Sequence, residues 1–299
     1  MVEMQTPLEL SSPPPDSKTN ALSVDVEDYF QVQALEAYFD RSSWLTLDSR
    51  VERNTDRVLQ LFSDFDVRGT FFTLSWVAER HKDLIRRIVD DGHEMASHGM
   101  SHYRADRQTP DEFRDDIRKS KKILEEISGT EVKGYRAATF SIGAENLWTF
   151  EILAAEGYTY SSSINPVRRS GYGMSNAPRF AFKPIANNPF QEFPISSVSI
   201  LGRNIPCAGG GYFRLWPYAL SKLAIKQVNK RDGWPFIFYF HPWELDPDQP
   251  RPANVALKSR FRHYLNLNIM EARLRRLLSD FSWDRMDRVF FPGESDKSK

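Results

Sequence analysis

The sequence predicts an α/β fold, a distorted (β/α) barrel of about seven parallel strands with an inserted loop or hairpin region at residues 165–215. Short apolar runs alternate with amphipathic helical runs from residue 21 onwards, which is typical of parallel strands joined by crossover helices. A single α/β barrel with additions would use all 299 residues. Several apolar runs also end in polar side chains, as expected where parallel strands deliver groups to one face.

The elements of the first half follow in order. Residues 1–20 are rich in proline, serine and charge and are expected to form a flexible tail, whereas residues 21–299 form one domain. Thr109 and Pro110 suit the N-cap and first position of a helix, and Gly92 suits the end of the preceding one. Strands are predicted at 20–30, 67–81 and 158–164, and a strand that runs into a loop at 93–102 and at 132–142. Helices are predicted at 51–65, 82–92, 109–129 and 144–157.

The second half is less regular. Glycine, proline and asparagine interrupt the pattern across 165–215, and the triple glycine at 209–211 favours a hairpin there. Helices are then expected at 215–231 and 259–281, with a strand at 234–245 and a last strand at 287–291.

Composition excludes several classes of protein. Hydrophobic residues make up 40% and charged residues 27%, as in ordinary globular enzymes, and 40 basic residues balance 40 acidic ones, which argues against nucleic-acid binding. The lone Cys207 excludes an internal disulfide and a cysteine-rich zinc site. No apolar window reaches the length of a membrane span, and no secretory signal is visible. A cytoplasmic protein is therefore expected, with a periplasmic location left open and the oligomeric state unknown.

Three acids stand within four positions of one strand end. The stretch "SVDVEDYF" contains Asp25, Glu27 and Asp28, whose mutual repulsion a cation would relieve. Because strand residues alternate in direction, Asp25 and Glu27 point the same way and Asp28 points across. This alternation favours Glu27 as a metal ligand, while Asp28 remains open.

Two histidines at another strand end complement these acids. His98 and His102 are four residues apart, so one helical turn would place both imidazoles on the same side. Two imidazoles and a carboxylate with open positions suit a catalytic divalent metal such as zinc.

Two further side chains stand at strand ends. His241 follows an apolar strand that Pro242 ends, so it is expected at the rim, where it could donate a proton. Glu244 or Asp246 would orient this imidazole. Arg136 ends a different strand, and beside Asp25 it would hold that carboxylate ionised.

The ordered set of motifs resembles the polysaccharide deacetylase family, the NodB homology domain of carbohydrate esterase family 4. The motifs are "VDVEDYF", "SHGMSH", "GYRAATFS", "GGGYFRL" and "FYFHPWE", and the resemblance covers residues 20–290. All of them except "SHGMSH" are more similar still to an exopolysaccharide- and exosortase-associated branch, related to allantoinase-like and Helicobacter peptidoglycan deacetylases. The adjacent Asp-Asp pair usual in the family is replaced by Asp-Val-Glu-Asp, and the spacing in the allantoinase-like branch favours Glu27.

The resemblance implies a NodB-type barrel and a role for each matching residue. Asp25 matches the general base, Arg136 the residue that positions it, His241 the general acid, and His98 and His102 the metal ligands. The implied reaction is hydrolysis of N-acetyl groups on a bacterial exopolysaccharide or peptidoglycan-like polysaccharide, releasing acetate, with zinc, cobalt or nickel as cofactor. The alternatives are an amidohydrolase of a small cyclic amide or ureide and a non-catalytic carbohydrate-binding relative.

Overall fold

The computed structural model describes residues 9–14, 18–167 and 173–293. These ranges contain twelve strands and ten α-helices. The strands, β1 to β12, are Glu9–Leu10, Thr19–Val26, Thr70–Thr73, Glu94–Ser97, Gly134–Tyr135, Tyr160–Ser161, Phe182–Lys183, Gln191–Glu192, Ser197–Ile200, Arg203–Pro206, Ile237–Phe240 and Ser282–Asp284. The α-helices, α1 to α10, are Val51–Asp64, Ser75–Arg80, Lys82–Asp90, Pro110–Ser128, Trp148–Ala155, Gly210–Leu215, Tyr218–Gln227, Leu257–Tyr264, Met270–Asp280 and Met286–Phe290. Short 3₁₀ turns span Gln33–Leu35, Arg41–Thr46, Ala105–Arg107, Ala138–Phe140, Pro242–Leu245 and Leu267–Ile269, and a π-helical turn spans Val228–Asp232.

Seven of the described strands form a continuous run of parallel pairs, in the order β11–β2–β3–β4–β5–β6–β8. β7 adds to β8 and β1 adds to β7, both antiparallel, and β12 pairs in parallel with the start of β2. Within the described ranges, no pair of hydrogen-bonded strands joins β11 to β1. The predicted α/β class with a mostly parallel central sheet is confirmed.

The parallel sheet brings the predicted reactive residues to one edge. β2 lies between β11 and β3, and all of its residues after Thr19 are buried, the polar Asn20, Ser23 and Asp25 included. Glu27, His98, Arg136 and His241 each follow directly after the last residue of a parallel strand. Because the strands run in the same direction, their carboxyl ends meet at the same edge of the sheet.

Helix α4 follows the sequence signals closely. Thr109 caps its N-terminus in a reciprocal capping box with Glu112, Pro110 is its first residue, and Gly129 ends it with a φ of 70°. These contacts satisfy backbone groups that a helix leaves free at its ends. The predicted boundaries of this helix are therefore confirmed.

Three predicted elements are wrong. The strand expected across 67–81 ends at Thr73, because the chain turns at Leu74 into helix α2, whose Val77 and Ala78 pack into the core. The helix expected across 259–281 is divided into α8 and α9 by Asn266, which has a left-handed φ of 54°. The strand expected at 287–291 falls in helix α10, and the last strand is instead β12.

The segment 165–215 is more than an insertion, because it contributes a strand to the central sheet. In its described part, β8 is one of the seven parallel strands, and β9 and β10 form an antiparallel hairpin. The triple glycine begins helix α6 and does not form the expected hairpin. Part of the expected N-terminal tail is ordered as strand. Glu9 and Leu10 pair with β7, and strand β2 begins at Thr19. Residues 1–8 and 15–17 lie outside the described residues.

Candidate active site

Glu27, His98 and His102 form a group of potential metal ligands. One ligand atom from each lies within 4.8 Å of the other two, and all three residues are buried. Glu27 Oε2 lies 3.0 Å from His102 Nε2, yet among the described residues no well-aligned hydrogen bond reaches this oxygen. A buried carboxylate oxygen without such a partner is costly unless a cation satisfies it. Two imidazoles and a carboxylate therefore fit a divalent cation with open coordination positions.

The loop that carries the two histidines differs from the predicted helical turn. Gly99 has a φ of 81° and His102 a φ of 55°, so the chain bends between them, and their ring centroids are 5.4 Å apart. His98 Nδ1 donates to the backbone carbonyl of Arg136 at 2.8 Å, which leaves its Nε2 available to a metal. The predicted convergence of both imidazoles thus occurs through a loop.

The electrostatics of the group suit metal binding. Burial lowers the pKa of His98 to about 4 despite the nearby Asp25 and Glu27, so its imidazole is neutral at physiological pH. Burial would raise the pKa of Glu27, but His102 and His241 outweigh it and lower that pKa to about 2. The neutral imidazole of His98 and the ionised carboxylate of Glu27 are thus in the forms that bind metal.

Asp28, the alternative ligand, has a structural role instead. Its Oδ2 accepts hydrogen bonds from Ser49 Oγ at 2.8 Å and from the backbone amides of Arg50 and Val51 at 2.8 and 3.1 Å. Its Oδ1 accepts from the amide of Tyr29 at 2.9 Å. The carboxylate therefore satisfies the free amides at the start of helix α1 and is not among the grouped ligands, which corrects the prediction for Asp28.

Asp25 is paired with a buried arginine. Arg136 Nη1 donates to Asp25 Oδ1 at 2.6 Å, and its guanidinium also contacts the hydroxyl of Ser23 and both the carbonyl and hydroxyl of Ser162. The guanidinium lies over the ring of Phe72 at 4.0 Å and has no exposed surface. With so many donors engaged, Arg136 has one available orientation, and it places a positive charge beside Asp25.

The imidazole of His241 lies close to the carboxylates of both Asp25 and Glu27. Its Nε2 is 3.4 Å from Glu27 Oε1 and 3.9 Å from Asp25 Oδ2, and its Nδ1 donates to Glu244 Oε1 at 2.9 Å. Burial would lower the pKa of His241, but Glu27, Glu244 and Asp25 raise it to about 9. Of the two acids considered as its partner, Glu244 has this role, while Asp246 pairs with Arg50 and Arg53.

The sequence did not predict the residue that holds Glu244 in place beside His241. Arg214 Nε donates to Glu244 Oε2 at 2.7 Å, and both side chains are buried. A Cβ at Gly210 would lie 2.1 and 2.2 Å from the carboxylate oxygens of Glu244, so glycine is required for this close approach. The triple glycine was the only sequence signal for the close approach of helix α6 to Glu244. No residue near Arg214 in the sequence indicates that it pairs with Glu244.

The grouped residues open into a cleft of about 350 Å³. Thr139 and Phe140 line it with left-handed φ angles of 59° and 52°, a strained backbone that often occurs at functional sites. Tyr212 and Trp243 contribute aromatic surface. The cleft therefore has the size and mixed character of a ligand-binding site.

Comparisons with known proteins divide the chain into two parts. The family model described as polysaccharide deacetylase matches residues 38–161, and a domain of unknown function, DUF3473, matches residues 162–291. His98, His102 and Arg136 fall in the first match, and Arg214, His241 and Glu244 fall in the second.

Curated relatives match the chain over parts of their length. A peptidoglycan deacetylase of Helicobacter pylori is 30% identical over 108 residues, which are 36% of each chain. A chitooligosaccharide deacetylase of Bradyrhizobium is 30% identical over 115 residues, 38% of this chain and 50% of the relative. The matches thus span a third to a half of these relatives.

Solved structures share the fold over almost the whole chain. A polysaccharide deacetylase homologue from Mycobacterium smegmatis has a TM-score of 0.59 at 20% identity, covering 95% of this chain and 93% of its own. Puue allantoinase has a TM-score of 0.59 at 15% identity and covers 96% of both chains. Among the helices that the structure describes, none has both the length and the apolar character required to span a membrane.

Proposed function

We propose that this chain, which belongs to the polysaccharide deacetylase family, removes N-acetyl groups from a bacterial polysaccharide by metal-assisted hydrolysis. The observation that carries the proposal is the meeting of three groups at one sheet edge. These are the ligand set of Glu27, His98 and His102, the Asp25–Arg136 pair and the His241 imidazole. An exopolysaccharide or a peptidoglycan-like polymer provides the required N-acetylated sugar.

The ligand set would hold one divalent cation, for which zinc is our first choice and cobalt or nickel are alternatives. Such a cation supplies Lewis acidity at the acetamide carbonyl and lowers the pKa of a water, to about 7 in favourable zinc sites. Nitrogen and carboxylate ligands with open positions are typical of catalytic zinc.

Asp25 and His241 divide the proton transfers between them. Asp25, held by Arg136, takes a proton from the water that attacks the carbonyl carbon of the N-acetyl group. His241, protonated because its pKa is raised, donates a proton to the amine nitrogen as the C–N bond breaks. Acetate and the free amino sugar are the products.

Acetate release tests this function directly. The purified chain is treated with a chelator and assayed on chitooligosaccharides and peptidoglycan fragments, then assayed again after addition of zinc, cobalt or nickel. We expect no acetate in chelator and restored release with metal. Allantoin serves as the small-ureide control, and we expect it to remain intact.

Two results would contradict the proposal. Hydrolysis of allantoin with all glycans untouched would favour the small-amide amidohydrolase. Binding of glycan without acetate release under any metal would favour a non-catalytic relative, although the presence of the full set of reactive residues argues against it.

A further inference from the structure

The charged residues of this chain are unevenly distributed although its net charge is zero. Residues 157–231 contain ten arginines and lysines but a single acid, Glu192, and that acid is buried. The rest of the chain therefore carries an excess of acids. A local excess of one sign of charge determines which charged surfaces a protein approaches, whatever its net charge.

Helix α7, Tyr218–Gln227, lies in this segment and has an exposed outer side. Leu220, Leu223 and Lys226 follow one another at intervals of three residues and are all exposed, so they lie on one side of the helix. Lys230 comes four residues after Lys226 in the π-helical turn and is exposed as well. The outer side of α7 therefore combines two leucines with two lysines.

The tip of the β9–β10 hairpin extends this surface. Gln227 Nε2 donates to the backbone carbonyl of Ser199 at 3.3 Å, so the hairpin lies against the last turn of α7. Leu201, at the tip, has 98% of its surface exposed. Arg203 pairs with Ile200 across the hairpin and is exposed too. We call the surface made by these exposed side chains the basic face, and its members are Leu201, Arg203, Leu220, Leu223, Lys226 and Lys230.

The positive charge of the basic face is not neutralised by neighbouring acids. None of its three cations forms an ion pair with a residue in the described ranges. Asp232, two residues after Lys230, pairs with Arg179 at 2.8 Å. Asp280 pairs at 2.9 Å with Lys222, which is also on α7. The acids nearest to the basic face are thus already paired with other residues.

Leucines and cations on one exposed surface fit an anionic bilayer. A soluble polyanion or a nucleic acid would use the cations but would leave the side chain of Leu201 in water. At a bilayer, the cations meet the lipid phosphates while the leucines enter the boundary between headgroups and acyl chains. The combination therefore favours a membrane surface over the other anionic partners.

We propose that the basic face docks this protein on the surface of an anionic phospholipid membrane. The proposal does not depend on the deacetylase function, and it gives a role to part of residues 162–291, which match a domain of unknown function. The basic face adjoins the cleft, because Leu215 lines the cleft at the end of α6 and only two residues separate α6 from α7. Docking therefore holds the cleft close to the lipid surface.

Sedimentation with lipid vesicles tests the proposal. The anionic probe is a vesicle of phosphatidylcholine that contains about 30% phosphatidylglycerol, and the neutral probe is a vesicle of phosphatidylcholine alone. The unchanged chain is compared with Lys226→Gln/Lys230→Gln and with Leu201→Ser. The matched control is Lys119→Gln/Lys122→Gln, which removes two exposed lysines from helix α4 and changes the net charge equally. Urea unfolding with an unchanged midpoint shows that each variant is folded.

We expect the unchanged chain to sediment with the anionic vesicles at low salt and not with the neutral ones. Lys226→Gln/Lys230→Gln should lower the partition coefficient at least ~10-fold, because each cation near an anionic surface contributes to binding. Leu201→Ser should lower it at least ~3-fold, because serine gains nothing from the apolar boundary. The control should stay within about twofold of the unchanged chain, and about 0.5 M salt should reproduce the loss seen in the double variant.

Three results would overturn the proposal. The first is that the unchanged chain does not bind the anionic vesicles, and the second is that the α4 control loses as much binding as the α7 double variant. The third is that Leu201→Ser binds the vesicles as well as the unchanged chain does and that both bind dextran sulfate equally. This last pattern would make the basic face a site for soluble polyanions.

Discussion

Arg136 acts on the site through two different groups. Its guanidinium donates to Asp25, and its backbone carbonyl accepts from His98 Nδ1, so one buried residue orients both the proposed base and a proposed ligand. Glu244 has the corresponding role for His241, and Arg214 in turn holds Glu244. Such supporting contacts fix the orientation and protonation of reactive groups.

Asp25→Asn tests the proposed base. The amide cannot accept a proton from the attacking water, so we expect kcat to fall at least ~100-fold. Bound metal should remain at one per chain, because Asp25 is not among the grouped ligands. The measurements are acetate release and metal content of the same preparation, and full activity in the variant would show that Asp25 is not the base.

Glu27→Gln and Asp28→Asn are a matched pair that tests the ligand assignment. Glu27→Gln removes a charged ligand, and we expect a loss of metal affinity of at least ~100-fold in a calorimetric titration. Asp28→Asn should keep the metal affinity but lower the free energy of unfolding by about 1–2 kcal/mol, since it weakens the contacts at the start of α1. The opposite pattern would make Asp28 the ligand.

The sequence was sufficient to place the proposed reactive residues at strand ends, but it did not reveal the residues that support them. Asp25, Glu27, His98, Arg136 and His241 were predictable because each is a polar residue at the end of an apolar strand. Arg214 and His263 lie on helices, and only the three-dimensional packing brings them to Glu244 and Trp243. No local pattern marks contacts made across about 20 to 30 residues of intervening chain.

At the scale of elements, helix α6 begins where two other segments come very close. Gly209 has a φ of 97°, and a Cβ there would lie 2.6 Å from the ring of Tyr239. Gly210 faces the Glu244 carboxylate, whereas a Cβ at Gly211 would meet no atom within 4 Å. Gly209 and Gly210 therefore have different reasons to be glycine, and no contact requires glycine at 211.

Gly210→Ala and Gly211→Ala test this difference. The methyl at 210 would push Glu244 away from His241, so we expect a loss of at least ~10-fold in kcat and a free energy of unfolding lower by about 1–3 kcal/mol. Gly211→Ala should leave the free energy of unfolding unchanged or raise it by up to about 1 kcal/mol, because alanine favours a helix. Equal effects of the two changes in urea unfolding would contradict the role given to Gly210.

The bounds of a helix could be predicted where the sequence contains a signal for both of its ends. Helix α4 has its capping box, proline and terminal glycine in sequence, and its bounds followed from them. β8 has only two residues, Gln191 and Glu192, so it offers no alternation to recognise, and its place in the parallel sheet comes from its neighbour β6. The helical start of α2 was hidden because it follows an apolar strand without a glycine or proline break.

Both matched parts of the chain contribute residues to the one proposed site. Residues 38–161 contribute His98, His102 and Arg136, residues 162–291 contribute His241 with its support, and β2 before them contributes Asp25 and Glu27. Neither part holds the full set of reactive groups. We therefore expect residues 162–291 to be required for activity.

A buried carboxyl also ties the C-terminal helix α10 to the sheet. Glu94 accepts hydrogen bonds from Thr70 Oγ1 at 2.5 Å, from the Tyr160 hydroxyl at 2.8 Å and from the amide of Asp287 at 3.2 Å. Burial and the nearby charge of Asp287 raise the pKa of Glu94 from 4.5 to about 8. Folding therefore favours the protonated form of this group.

The raised pKa predicts a pH dependence of stability that Glu94→Gln should remove. Because the folded state binds the proton more tightly, the contribution is complete below about pH 4.5 and is lost as the pH rises towards 8. The free energy of unfolding of the unchanged chain minus that of Glu94→Gln should thus fall with pH, by up to about 1.4 kcal/mol per pH unit. Urea unfolding of both chains across this range measures it, and a constant or rising difference would contradict the assignment.

We propose that side chains from distant parts of the sequence hold one cation at the carboxyl edge of the sheet. Anomalous diffraction at the zinc edge, from crystals of the chain grown with zinc, measures this directly. We expect one zinc peak at about 2.0–2.2 Å from nitrogens of His98 and His102 and an oxygen of Glu27. No peak at this position, or imidazoles that face apart, would contradict it.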